Sequence, residues 1–194
     1  MAKQRRKNTI ADLERSLKSG RLLPVYLLLG EEAYLRHEAR TLIHDAIVHR
    51  EQGSVSVFNA EDPLETVLAE LRGDSLFASR RMVEVMGADA FLRTHGDAIV
   101  RYLERPSATG VLVLDAAKVD GRTRLPGAVR AAGMIVDCPT VYEERLPGWV
   151  KSQVRRRGLD VSTAVVSVLI DEVGNNLFAL VGEIDKLVTY VGDR

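Results

Sequence analysis

The sequence is short of cysteine, of net charge and of long apolar runs, and each shortage removes a class of protein. Cys138 is the one cysteine in 194 residues, so an internal disulfide framework is excluded and a reducing cytoplasm is the expected compartment. Lys and Arg together number 27, as do Asp and Glu, so no overall positive field marks the molecule as a free-standing nucleic-acid binder, and any DNA contact has to be local. No window approaches the roughly 18 consecutive apolar residues of a membrane span. The basic start, Met-Ala-Lys-Gln-Arg-Arg-Lys, is not followed by the apolar stretch of a signal peptide. A protein that is neither secreted nor embedded in a membrane is expected. No repeat or low-complexity segment interrupts the chain.

What is present is an alternating pattern. With 46% apolar and 28% charged residues, the chain can bury one substantial α/β core with a small second domain attached. Thr9 followed by Asp12 resembles a capping box, and Ile10, Leu13 and Leu17 share a helical face that stops near Gly20. Apolar runs suited to buried strands follow at Val25 to Leu29, Val55 to Phe58, Met82 to Met86, Val111 to Leu114 and Met134 to Asp137. Between them lie helical periodicities: Leu35 to Ile47, Leu64 to Leu71, a stretch through Ile99, Tyr102 and Leu103, and Leu125 to Ala132. Strands that alternate with helices predict a doubly wound, five-stranded parallel sheet, because parallel neighbours need crossover helices.

After Pro139 the pattern is helical only, with predicted helices over Glu143 to Arg157, Ser162 to Val173 with Gly174 as the stop, and Asn175 to Val191. The expected division is an α/β domain over 1–140 and a small helical domain over 141–194. Three helices make a thin core, so more chain is expected beyond Arg194.

The loop after the first strand is the place to look for a nucleotide site, and it reads Gly30-Glu-Glu-Ala-Tyr-Leu35. A phosphate loop needs several glycines, a lysine and a Ser or Thr for magnesium. Here Glu31 and Glu32 would repel ATP. The strand Val111-Leu-Val-Leu-Asp115 resembles a metal-binding second motif, but Ala116 stands where hydrolytic versions carry a water-activating glutamate. Asp115, Lys118 and Asp120 read either as a charged cluster at a strand's carboxyl end or as a polar loop that caps the next helix, the simpler reading. His37, His44, His49 and His95 fit no metal-ligand spacing, and Cys138 has no histidine near it in sequence. No catalytic residue, cofactor or metal is therefore expected.

The segment Arg72-Gly-Asp-Ser-Leu-Phe-Ala-Ser-Arg-Arg81 places Leu76 and Phe77 among polar neighbours between a helix and the third strand. On physical grounds the two side chains either tuck under the core or wait for a partner, and the core is the simpler choice.

The motifs Pro24-Val-Tyr-Leu-Leu-Leu-Gly-Glu-Glu-Ala-Tyr-Leu35, Ser75-Leu-Phe-Ala-Ser-Arg-Arg-Met-Val83 and Val111-Leu-Val-Leu-Asp115 with Lys118 and Asp120 occur in an order that resembles a known family. So do Cys138-Pro, Leu146 with Trp149-Val-Lys151, Val173-Gly-Asn-Asn-Leu177, Glu183-Ile-Asp-Lys-Leu187 and Tyr190-Val-Gly192. The sequence is similar, over nearly its whole length, to the delta subunits of bacterial DNA polymerase III clamp loaders.

This resemblance implies a nucleotide-binding domain of the AAA+/RecA-like type with a degenerate nucleotide site, then a small all-helical lid. A carboxy-terminal collar domain is expected to lie outside this sequence. It also implies a DNA-replication function without catalysis by this chain, which would be one subunit of a nucleotidyltransferase holoenzyme. Leu76 and Phe77, with Ser75, would enter a pocket on the sliding clamp (the beta ring) and help to open it. Gly73 and Asp74 stand where other members place bulkier apolar residues, so the wedge would be shorter. The ATPase motor subunits and delta-prime would be further partners, with primer-template DNA inside the assembly. Arg80, Arg81, Arg155, Arg156 and Arg157 could meet its phosphates, although a solvated helix end accounts equally well for the arginine triplet. Two rival readings are a catalytically inert ring scaffold and a divergent P-loop ATPase.

Overall fold

The computed structural model describes residues 8–73 and 80–192. The chain divides into two compact units, Met1–Pro139 and Thr140–Arg194.

The first unit opens with helix α1, Ile10–Lys18, started by a full capping box. The Thr9 hydroxyl accepts from the Asp12 amide at 3.3 Å and the Asp12 carboxylate accepts from the Thr9 amide at 3.0 Å. Five strands follow: β1 Val25–Leu29, β2 Ser54–Asn59, β3 Arg81–Met86, β4 Gly110–Ala116 and β5 Met134–Asp137. The helices between them are α2 Ala33–Asp45, α3 Leu64–Arg72, α4 Asp89–Glu104 and α5 Leu125–Ala132. All strand pairings are parallel, in the order β2-β3-β4-β1-β5. The doubly wound, five-stranded parallel sheet expected from the alternation is thus present.

Position in that order explains strand composition. Every residue of central β4 is buried, as a strand covered on both faces demands. Edge strand β2 has no fully buried residue, and its apolar run is broken by Ser54, Ser56 and Asn59. One face of the sheet packs Val25, Leu27, Val83, Val85, Leu112 and Leu114 against the inner sides of α3, α4 and α5. Burying each such side chain contributes about 1.5–3 kcal/mol. The helix expected through Ile47 departs from α geometry at Ala46, where a π turn, Ala46–Arg50, keeps Ala46 and Ile47 buried before the chain turns into β2.

The second unit is helical throughout. The helix expected over Glu143 to Arg157 is two pieces. A 3-10 turn, Glu143–Arg145, precedes α6, Leu146–Arg156, because Pro147 in the first turn suits a helix start and not its interior. Next, α7, Thr163–Val173, is capped by the Ser162 hydroxyl and stopped by Gly174 at φ +81°. The Asn176 side chain accepts from the Ala179 amide at 3.1 Å at the start of α8, Leu177–Gly192. The core of this unit is small: Leu146, Val150 and Val154 of α6, Val166 of α7, and Leu177, Leu180 and Ile184 of α8. No helix among the described residues is long and apolar enough to cross a membrane.

Candidate functional site

In an open α/β sheet, ligands gather beyond the carboxyl ends of the strands, where successive crossovers leave to opposite sides. Here that place is the end of β1, between β4 and β5. Gly30 leaves β1 at φ +148°, and a Cβ there would lie 2.0 Å from the Cys138 carbonyl oxygen, so no other residue fits. The backbone is stitched to the end of β5, since the Glu32 amide donates to Cys138 O at 3.1 Å and the Cys138 amide to Leu29 O at 2.7 Å. The Glu32 carboxylate then accepts from the Tyr34 amide at 3.3 Å. An acidic side chain therefore occupies the helix N-terminus that a phosphate would otherwise use.

From the first turns of α2, Arg36 reaches back across the crevice. Its Nε donates to Asp115 Oδ1 at 2.5 Å and its Nη1 donates to the Gly30 carbonyl. Both side chains of this pair are largely buried, Arg36 at 16% exposure and Asp115 at 10%. One turn on, Arg40 Nη1 lies 3.4 Å from Glu84 Oε1, and Arg40 Nη2 contacts His37 Nδ1 at 2.8 Å. Burial pushes the Glu84 carboxyl up from its ordinary range and Arg40 opposes the shift. Burial and then Arg40 push the His37 imidazole down. The crevice is thus closed by the Arg36–Asp115 pair, while Arg40 and Glu84 form a second pair over the middle of β3.

Asp115, Lys118 and Asp120 are not brought together as one cluster. Asp115 belongs to Arg36. Lys118 Nζ pairs with Glu31 at 3.0 Å, and the Lys118 amide donates to the Asp89 carboxylate at 2.7 Å. Asp120 pairs with Arg122 at 2.9 Å, and hydrogen bonds from Arg122 hold its carboxyl at about 2. Among the described residues no three His, Cys, Asp or Glu side chains are grouped to hold a metal ion. His44 and His49 lie near Asp45, and His95 packs on Phe91. Cys138 is buried, and desolvation pushes its thiol up to about 12, the opposite of an activated nucleophile.

Ser75, Leu76 and Phe77 lie outside the described residues. The residues that flank them are well tied. Arg80 Nη1 donates to the Ala108 carbonyl at 2.6 Å, while Arg81 Nη1 donates to the Glu70 carbonyl at 2.8 Å and Arg81 Nε lies 3.3 Å from the Glu70 carboxylate. In the helical unit Arg155 lies 3.6 Å from Asp160, Arg156 is exposed, and Arg157 bonds Asp185 at 2.5 Å and the Gln153 carbonyl at 3.0 Å. Arg81, Arg155 and Arg157 therefore have carboxylate partners inside their own units. Sequence reasoning missed Arg36, Arg40 and Glu84. Glu84, a carboxylate within the otherwise apolar run of β3, was the available signal, because such a residue is retained only when it is paired.

Comparison with known proteins places this geometry. Residues 26–138, more than half the chain, match the family model of the DNA polymerase III delta subunit. The chain belongs to that family. It is 27% identical to DNA polymerase III subunit delta of Bacillus subtilis (strain 168) over 95% of its own length and 57% of the relative's. It superposes on the solved B. subtilis DNA clamp loader delta protein with a TM-score of 0.80, at 26% identity, covering 96% of this chain and 59% of that one. The chain thus spans under two thirds of the length of the delta relatives it matches. Domain III of the Thermotoga maritima replication initiation protein DnaA and a T. maritima RuvB mutant each align at a TM-score of 0.53 and 13% identity, a likeness of fold alone. The delta-family chain accordingly has an α/β fold of the AAA+/RecA-like type followed by a helical portion.

Proposed function

We propose that this chain serves in a clamp loader by binding the sliding clamp and helping to open it, and that it does no chemistry of its own. The observation that carries the reading is the Arg36–Asp115 pair, closed over Gly30 where an ATP-hydrolysing relative would cradle phosphates. A delta-family chain whose nucleotide crevice is filled by its own side chains contributes binding energy and leaves hydrolysis to other subunits. In this reading the unit from Thr140 onward is a small lid. ATP acts through motor subunits of the assembly, alongside delta-prime, and primer-template DNA meets arginines of the set Arg80, Arg81, Arg155, Arg156 and Arg157. The cytoplasm is the place of work.

Leu76 and Phe77 are the proposed anchors, seated in an apolar pocket of the clamp with Ser75 at its rim. Burying two such side chains contributes about 3–6 kcal/mol before association costs, enough to dominate a small contact. A chain that binds a distorted clamp interface more tightly than a closed one shifts the ring toward opening by that difference in affinity.

The test is titration calorimetry of this chain against its cognate clamp, comparing wild type with Leu76→Ala/Phe77→Ala and checking both folds by circular dichroism. Loss of binding in the folded variant is expected. Unchanged binding would remove these residues from the contact, and absence of wild-type binding would favour an inert scaffold.

A further inference from the structure

The two lateral strands of the sheet are finished differently. Along β5 the chain closes its own margin: the Asp137 amide donates to the Asn8 carbonyl at 2.8 Å, and Asn8 Nδ2 donates to the Ile135 carbonyl at 3.1 Å. Strand β2 lies at the far side of the order and pairs with β3 alone. The Ser54 amide donates to the Arg80 carbonyl at 3.0 Å, which fixes the parity of the ladder. Ser54, Ser56 and Phe58 therefore bond inward to β3, and Val55, Val57 and Asn59 turn their N–H and C=O groups outward. Asp62 ends the open stretch, since its carboxylate accepts from the Asn59 amide at 2.6 Å and its amide donates to the Asn59 carbonyl at 3.2 Å. The N–H and C=O of Val55 and of Val57 are left without a partner among the described residues.

Side chains alternate between the two faces of the same strand. The Ser56 hydroxyl donates to the Glu70 carboxylate of α3 at 2.9 Å, and Phe58 packs against the core on that face. Val55 and Val57 belong to the other face, where they line a groove with Arg40, Thr41 and His44 of α2 and Glu84 of β3. Val57 is 60% exposed. Natural sheets guard an open margin with lysine, proline or an inward-pointing charge. The run Ser54-Val-Ser-Val-Phe-Asn59 carries none of these, so nothing on the strand opposes a second one.

We propose that β2 pairs with β2 of a second copy of this chain, antiparallel about a two-fold axis through Ser56. Register singles out this occupant. Val55 then lies opposite the partner's Val57, and Val57 opposite the partner's Val55, as hydrogen-bonded pairs that each exchange two bonds. Every open group of each copy is used and none is left over. Ser56 meets its own counterpart as the intervening pair without hydrogen bonds. Residues directly opposite share a face, so the four valines meet on the α2 side and cover Val57, a β-branched cross-strand contact of the kind that stabilises sheets. The strand is uncharged, so like meets like without repulsion, and Asn59, already bonded to Asp62, ends the pairing. A contact of this symmetry closes at two copies. It is independent of the clamp reading.

Sedimentation of this chain from about 10 µM to 1 mM is expected to show monomer giving way to dimer, the range for a contact this small. Val57→Lys and, separately, Val57→Pro should each weaken the dimer about tenfold or more, the first by placing like charges beside the axis. Proline at that position removes only an outward N–H that β3 does not use, so the fold is kept, as circular dichroism checks. Ser56→Cys sets two thiols across the axis with Cα atoms about 4.5 Å apart, within disulfide reach, and mild oxidation should give a covalent dimer. Cys138 is buried and does not compete. Ser54→Cys, which faces the partner's Phe58, should give none. A monomer throughout, or the absence of the Ser56→Cys cross-link, overturns the pairing, as does a dimer that both Val57 variants leave intact. A chain that stays monomeric while its Val55 and Val57 amides gain hydrogen-exchange protection on adding the cognate clamp overturns it too, and gives β2 to the clamp.

Discussion

The two edges of one parallel sheet handle charge in opposite ways. At the carboxyl edge Arg36 is folded inward onto Asp115, with Arg40 on Glu84 of β3 one helical turn on, and the loop that could hold phosphates is capped by Glu32. At the amino edge Arg72, Arg101 and Arg105 stand exposed, without carboxylates among the described residues. A buried charge must be paired because desolvation costs more than a lone hydrogen bond returns, so the carboxyl edge is structure. An exposed charge left unpaired costs little and stays available to a partner. The edge where open α/β sheets gather ligands is thus part of the scaffold here, and the opposite edge offers the open charge.

The comparison is broken most severely by Arg36→Ala. It strands Asp115 in a buried site and should lower unfolding free energy by about 3–5 kcal/mol in urea titration. Arg36→Met with Asp115→Leu should recover most of that loss. Gly30→Ala drives a methyl into the Cys138 carbonyl at a positive φ and is expected to cost about 1–3 kcal/mol on the same assay. A neutral result for either would mean that the carboxyl edge is not closed.

Cys138 sharpens the contrast through pH. Its thiol is raised from 9.0 to about 12, so the folded state favours the protonated form. That contribution is complete below about pH 9 and is lost as pH rises toward 12, and Cys138→Ala should flatten this part of the alkaline stability profile. Alkylation by iodoacetamide near neutral pH should require unfolding. At the amino edge, Arg105→Gln should change stability by no more than about 0.5 kcal/mol, because an exposed side chain with no carboxylate partner supports nothing. A large loss would make that edge structural as well.

Much of the fold was legible in the residues. The five apolar runs became β1 to β5, the Thr9–Asp12 capping box formed as read, and Gly174 stopped its helix, because these are local patterns in which each residue's neighbours lie within a turn or two. Small departures, the π turn after Asp45 and the split at Leu146, also have local causes in packing and in Pro147. The absent lysine and glycines of the loop after β1 were equally plain. What filled the resulting crevice was not.

The sequence by itself determined the alternation of strands and helices, the change to helices after Pro139 and the unsuitability of Gly30-Glu31-Glu32 for phosphate. Only the tertiary structure decided that Arg36 meets Asp115, 79 residues away, that Arg40 meets Glu84, and that Arg72 lies by Tyr102 and Arg80 by Ala108. Periodicity encodes which face of an element is buried. Which charges then meet depends on strand order, and β1 lies between β4 and β5 through long-range packing that no local pattern specifies.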